Sequence, residues 1–178
     1  PVRPVRSATT TVPREYGAAP AQADAKPLLV LEDVHLTYRN GAQALAGVDL
    51  AVKPSNLISV VGRNGVGKTS LMRAITGFYR SEGARVRGRI SFAGESILSA
   101  SPVRTAAHGI TLVPEREKVF PSLTVGEHLR HVGDVDIARE AMPSQWEVLQ
   151  RRWRSPAGLL SGGERQLVAL EIGRASCR

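Results

Sequence analysis

A β-branched run, a glycine-rich octapeptide and a helical pattern follow one another near residue 60, and few folds accommodate that succession. The octapeptide Gly62-Arg63-Asn64-Gly65-Val66-Gly67-Lys68-Thr69 fits G-x-x-x-x-G-K-[ST]. Before it, Leu57-Ile58-Ser59-Val60-Val61 suits a short strand buried in a parallel sheet. After it, residues 69–76 carry a helical pattern that Gly77 stops. Strand, loop and helix in that order are the setting in which this pattern cradles phosphate. Glycine at 62, 65 and 67 lets the backbone take conformations closed to other residues, so that several N–H groups converge on an anion. The helix adds its positive N-terminal end. Lys68 is then expected to reach the β- and γ-phosphates of a nucleotide, and the Thr69 hydroxyl to ligate Mg2+. The competing reading is a glycine-rich turn that binds nothing, and the flanking elements disfavour it.

The remaining sequence has three parts. Residues 1–27 mix Pro, Ala, Thr and Arg without apolar periodicity and read as a disordered linker or tail. The folded part begins near Leu28: residues 28–38 and 44–52 read as the strands of a hairpin turning at Asn40-Gly41. Residues 85–92 form a further β segment that ends at Ala93-Gly94. Ser101-Pro102 has the form of an N-cap with proline at the first helical position. It predicts a helix to Ala107 that stops at Gly109, with a strand over 110–113 after it. Residues 124–170 read as helical pieces punctuated by Gly133, Pro143, Pro156 and Gly158. The order is β-rich, then α/β, then helical.

Composition removes several classes. A length of 178 residues fits one domain or part of one. The hydrophobic share of 42% is that of a globular protein, and no apolar run approaches the roughly 18 residues of a membrane-spanning helix. A single cysteine, Cys177, forms no internal disulfide, and four histidines without a cysteine partner make no zinc spacing. The net charge of +8 invites a nucleic-acid partner. Its excess lies in the N-terminal segment and in Arg85, Arg87, Arg89 and Arg151, Arg152, Arg154, with neither an RNP-like aromatic block nor a DNA-reading helix. Direct nucleic-acid binding is therefore not expected; solvated faces or an anionic membrane surface account better for the charge.

A second glycine motif, Leu160-Ser161-Gly162-Gly163-Glu164-Arg165-Gln166, precedes the apolar run 167–170. Ser161 is a good N-cap, Glu164 has capping-box spacing, and the two glycines leave backbone N–H groups unobstructed. Alone, this is either a well-capped helix or a second anion site. With the phosphate loop upstream it resembles the signature of ATP-binding-cassette proteins, and its separation from Lys68 resembles that of transporter subunits. The resemblance covers about residues 28–170. It implies an α/β P-loop NTPase cassette with an antiparallel β subdomain, a RecA-like core and a helical subdomain, its C-terminal core strands missing. It also implies ATP and Mg2+ as ligands. The binding residues would be Tyr38, Gly62, Asn64, Gly65, Gly67, Lys68, Thr69, Ser70, Ser161, Gly162 and Gly163, with Thr69 on the metal. Tyr38 stands where the family stacks an aromatic on adenine; ordinary strand packing is the alternative. In such proteins two ATP-binding subunits pair head to tail, each signature closing on the phosphates held by the other.

Leu112-Val113-Pro114-Glu115 and Val119-Phe120-Pro121-Ser122-Leu123-Thr124-Val125 resemble the loop that senses the γ-phosphate side and contacts transmembrane permease subunits. Glu115 replaces the usual Gln and would contact Mg2+ or water, unless it is an ordinary surface acid. Glu there is similar to the subunits that energise import of branched-chain amino acids and related solutes. The location implied is the cytoplasmic face of the bacterial inner membrane, as a peripheral subunit. A cassette ATPase acting on nucleic acid or ribosomes is the alternative function. Thr124 and Glu127 again have capping-box spacing, and Trp146 and Trp153 are expected to pack in the helical subdomain. The strand ending in Asp-Glu and the later His that complete hydrolysis in this family do not occur, so the chain is expected to be inactive alone. Residues 171–178 are what GAG ATC GGA AGA GCG TCG TGT AGG encodes, a string resembling sequencing-adapter read-through, and are read as non-native.

Overall fold

The Asn40-Gly41 turn forms as its residues dictate. The Asn40 side chain accepts a hydrogen bond from the Ala42 amide (3.0 Å), and Gly41 takes a φ of +82°. In the computed structural model, which describes residues 25–115, 119–131 and 147–176, this turn joins β1 (Leu29–Thr37) to β2 (Gln43–Val52). β3 (Arg85–Phe92) pairs with the other side of β1, and the two-residue β4 (Glu95–Ser96) follows, giving an antiparallel sheet of order β2-β1-β3-β4. The link between β3 and β4 is Ala93-Gly94, both at positive φ, the geometry of a tight hairpin turn.

The buried positions of β1 change phase. Leu31 is buried, and so are Val34 and Leu36, because one extra residue enters the strand at Asp33, which sits at φ +48°. Opposite it, Gly88 at φ +103° comes so close that a Cβ would lie 2.3 Å from the Asp33 carbonyl oxygen, which excludes any side chain there. The bulge lets Leu31, Val34, Leu36, Leu45, Val48 and Ile90 all enter the core.

Two expected strands do not form. Residues 57–61 and 110–113 have no ladder partner, and Leu57 and Val61 are 74% and 69% exposed. A strand exists only through a neighbour's N–H and C=O groups, and among the described residues every sheet pairing belongs to the antiparallel sheet of β1 to β4. The helices form where local signals place them. α1 (Lys68–Thr76) ends at Gly77 in the left-handed conformation. α2 (Pro102–Ala107) is capped by Ser101 with Pro102 in its first turn, and the Thr105 hydroxyl donates to the Thr76 carbonyl at the end of α1 (3.0 Å).

Residues within 1–108 and within 109–178 form two separate units. In the second, α3 (Val125–Arg130) opens with the Thr124/Glu127 capping box, followed by α4 (Glu147–Arg151) and α5 (Gly162–Ser176). Val125, Leu129, Leu149, Ala157, Leu160 and Val168 are its core. Trp153 packs against that core, as expected, whereas Trp146, Gly133 and Pro143, the tail 1–24 and Cys177 lie outside the described residues. Glu171 is fully buried and paired with Arg174 on the same helix.

Gly126 of α3 is required by Trp153: a Cβ there would lie 2.5 Å from the indole Nε1 and 2.8 Å from Cε2. Alanine normally gains up to about 1 kcal/mol over glycine inside a helix, and overpacking costs about 1–3 kcal/mol. Gly126→Ala is therefore expected to destabilise the chain by about 1 kcal/mol or more, with altered Trp fluorescence, read by urea unfolding.

Candidate functional site

Three consecutive constraints shape the phosphate loop. Val66 donates to the Arg63 carbonyl (3.3 Å), closing a turn over Asn64 and Gly65, and Gly65 takes φ +81°. Gly67 then takes φ +106° and becomes the N-cap of α1. A Cβ on Gly67 would lie 2.4 Å from the carbonyl oxygen of Ala44 in β2, so the loop lies directly on the sheet backbone. Gly62 is tight for another reason, since its Cβ would lie 2.8 Å from Val66 Cγ1. Gly62 and Gly67 leave no room for a side chain, whereas Gly65 has open space and is favoured by its positive φ alone.

Lys68 follows at the first helical position. Its ammonium donates to the carbonyls of Gly62 (2.7 Å) and Arg63 (2.9 Å), so the charge lies across the mouth of the loop rather than away from it. α1 has no side-chain cap and no acidic residue in its first turn, so the positive field of its N-terminus is uncompensated by the chain. Thr69 is exposed in the first turn of α1. Ser70 is buried, and its hydroxyl lies 2.8 Å from the Tyr38 hydroxyl. That bond ties the residue after β1 to the first turn of α1, a contact that sequence spacing did not reveal. The expected loop residues Gly62, Asn64, Gly65, Gly67, Lys68, Thr69 and Ser70 are thus brought together, with Tyr38 attached through Ser70.

In the other unit, Ser161 and Glu164 form the expected capping box: the Ser161 amide donates to Glu164 Oε2 (2.7 Å) and the Glu164 amide to Ser161 Oγ (3.2 Å). Gly162 and Gly163 are exposed at the start of α5, with nothing within 4 Å of where a Cβ would stand. Arg152, counted in the sequence only as surplus charge, has its Nε 3.5 Å from Glu164 Oε1. Glu115 is exposed.

The family model for ABC transporters matches residues 45–177. The chain belongs to the ABC transporter family. It is similar to the high-affinity branched-chain amino acid transport ATP-binding protein of Pseudomonas aeruginosa, 32% identical over 145 residues, which covers 78% of this chain and 60% of that protein. It is also similar to the sn-glycerol-3-phosphate import ATP-binding protein of Vibrio vulnificus, 33% identical over 159 residues, covering 85% of this chain and 40% of that protein. The chain thus spans 60% or less of the length of these two relatives. Among solved structures, the crystal structure of a nucleotide-free ATP-binding cassette from an ABC transporter superposes with a TM-score of 0.70 at 24% identity, covering 84% of this chain and 65% of that one. The fold is therefore the α/β P-loop NTPase cassette.

The Glu164 carboxyl is held below the usual carboxylate range by the Ser161 amide first, then by the Ser161 hydroxyl and Arg152. A depressed carboxylate contributes stability above its unfolded value of about 4.3 and loses it as pH falls through the folded value. Glu164→Gln is accordingly expected to destabilise the helix start near neutrality. The difference from the native chain should shrink as pH falls from about 5 towards about 3, measured by urea unfolding at each pH.

Proposed function

We propose that this chain is the nucleotide-binding part of an ATP-binding-cassette importer subunit, coupling ATP binding and hydrolysis to uptake of branched-chain amino acids or related small solutes through a transmembrane permease. The observation that carries the reading is the loop of residues 62–69. Its ammonium lies across two loop carbonyls, its helix N-terminus is uncapped by any side chain, and Gly62 and Gly67 leave no room for a Cβ. Such a site takes a polyphosphate: Lys68 exchanges its carbonyl partners for the β- and γ-phosphate oxygens, and backbone N–H groups of the loop and of the uncapped start of α1 donate to the same charge. Gly62, Asn64, Gly65, Gly67, Lys68, Thr69 and Ser70 are the phosphate-side residues, and Tyr38, beside Ser70, is the adenine-side residue. The proposed Mg2+ contact is the hydroxyl of the exposed Thr69, and Glu115 of the other unit is proposed, from its sequence setting alone, as a contact to metal or water; when bound, the ion would neutralise developing phosphate charge.

The proposed partners are permease subunits and a second ATP-binding subunit paired head to tail, with Ser161, Gly162 and Gly163 closing on the other subunit's nucleotide. Gly162 and Gly163 suit that role because their N–H groups stand in the open first turn of α5. The proposed place is the cytoplasmic face of the membrane; among the described residues no helix is long and apolar enough to cross one. The amino-acid assignment is supported by the Pseudomonas relative and by Glu115 in its Val-Pro-Glu setting, whereas the Vibrio relative is an sn-glycerol-3-phosphate import ATP-binding protein.

Groups that bind ATP are present on the chain, but no described residue has been placed as the base or the Asp ligand for hydrolysis. The chain is expected to bind a fluorescent ATP analogue with Mg2+ and to release no phosphate in steady state. Lys68→Ala should weaken binding at least about 100-fold, in line with a charge-assisted phosphate contact. Unchanged affinity in that variant, measured by fluorescence titration, overturns the site. Phosphate release that Lys68→Ala removes overturns the inactivity.

A further inference from the structure

His128 is buried on α3, and both of its ring nitrogens are engaged. Its Nε2 lies 2.8 Å from the backbone nitrogen of Phe120, and its Nδ1 lies 2.8 Å from the Thr124 carbonyl oxygen. A backbone amide only donates and a carbonyl only accepts, so the partners settle the tautomer: Nε2 carries the lone pair and Nδ1 carries the proton. The Phe120 ring stacks on the imidazole, centroids 6.1 Å apart and planes 19° apart, although Phe120 is 69% exposed.

The turn so held is clamped on several sides. The Leu123 amide donates to the Phe120 carbonyl (3.1 Å), the Gly158 amide to the Pro121 carbonyl (2.9 Å), and the Ala157 amide to the Leu123 carbonyl (2.8 Å). Each of those is a bond between neutral backbone groups that pH does not alter. The bond from Phe120 to His128 is the exception, because its acceptor exists only on a neutral ring.

We infer that His128 is the positioning residue of the Phe120 amide: as the neutral Nδ1–H tautomer it holds that amide on α3, and protonation of the ring frees it while the backbone bonds of the turn remain. Protonation places two N–H donors face to face at 2.8 Å and strips the Phe120 amide of its acceptor. A cation over the Phe120 ring face regains some attraction, but at 6.1 Å from an exposed ring it is the smaller effect. The groups facing His128 are few in kind. From the turn come the Phe120 ring and amide and the Thr124 carbonyl; on its own helix Glu127, which interacts with it electrostatically, and Arg130 are its charged neighbours; α5, packed on α3, carries Glu164, Arg165, Glu171 and Arg174, with Glu164 tied to Ser161 and Arg152 and Glu171 buried against Arg174. Glu127 stays ionised near and below neutrality, because the Thr124 amide and hydroxyl hold its carboxyl below the ordinary range. The capping box therefore persists when the Phe120 amide is freed. That the freed amide and its exposed ring alter a permease contact rests on the function proposed above; the lock itself does not, and the test reads the lock alone.

Long-range 1H–15N correlation spectra of the full chain are expected to show His128 as the Nδ1–H tautomer near pH 7.5. Hydrogen exchange, corrected for its intrinsic pH dependence, should show the Phe120 amide losing at least about tenfold protection between about pH 7.5 and about pH 5.5. The Thr124 amide, bound to Glu127, should keep its protection over the same range and so distinguish local release from unfolding. His128→Gln, which offers an acceptor that does not titrate, should hold Phe120 equally at both pH values, and His128→Leu should hold it at neither. Should the leucine variant fail to fold, the native tautomer and the native pH response carry the test. An Nε2–H tautomer, a Phe120 amide equally protected at both pH values in the native chain, or the same loss of protection on acidification in His128→Gln overturns the inference.

Discussion

The contact of Gly67 with the Ala44 carbonyl is the constraint from which the nucleotide site is built. A residue at φ +106° with no room for a Cβ must be glycine, and placing it there lays the loop on the backbone of β2. From that point the chain enters α1 with Lys68 already turned across the loop, and Leu71 closes the first helical bond onto the Gly67 carbonyl (2.8 Å). Ser70 then faces Tyr38 at the end of β1. One close approach thus fixes the lysine, the first helical turn and the aromatic together.

The starts of α1, α2, α3 and α5 fall into two electrostatic classes. α2, α3 and α5 begin with Ser101, Thr124 and Ser161, each accepting from an amide of the first turn, and the last two add a glutamate that returns the bond. Those termini satisfy their own orphan N–H groups. α1 begins with a glycine that has no side chain to offer and with a lysine where an acid would be favourable. A helix whose start is both uncapped and next to a cation costs stability in isolation and gains it from an anion. The signature helix α5 differs, because Glu164 and Arg152 already neutralise one another at its start; what Gly162 and Gly163 can offer is open backbone rather than uncompensated charge.

Much of this was legible in the sequence because it is local. Asn40-Gly41, Gly77, Ser101-Pro102, Thr124 with Glu127 and Ser161 with Glu164 each act through bonds spanning two to four residues, and each stands where its residue types place it. Residues 57–61 and 110–113 were misread as strands because β-branched composition reports only suitability for a sheet, while a strand needs a partner contributed from elsewhere in the chain. Reading residues 28–38 as one strand does not reveal the Asp33 bulge, whose extra residue meets Gly88 on the opposite strand and changes the phase of burial. Arg152 and His128 carried weak signals. A histidine four residues after a threonine cap and eight after a phenylalanine can reach both backbones once the helix forms, but nothing in one-dimensional spacing says that Phe120 turns back to meet it.

The exposure of residues 57–61 bears on what holds the phosphate loop in shape. In a strand–loop–helix unit the strand before the loop ordinarily anchors one end through its ladder bonds. Here Leu57 and Val61 are open, and no described strand pairs with them. The loop nevertheless keeps its turn, its left-handed glycines and the lysine contacts. The restraint therefore comes from the helix side: Gly67 against β2, Ser70 against Tyr38, and Leu71, Ala74 and Ile75 buried beneath α1. The entry side is held by Lys68, whose ammonium bonds to Gly62 and Arg63 draw the beginning of the loop to its end. Removing that ammonium thus deletes a phosphate ligand and also loosens the cradle, so the two losses compound in any variant at position 68.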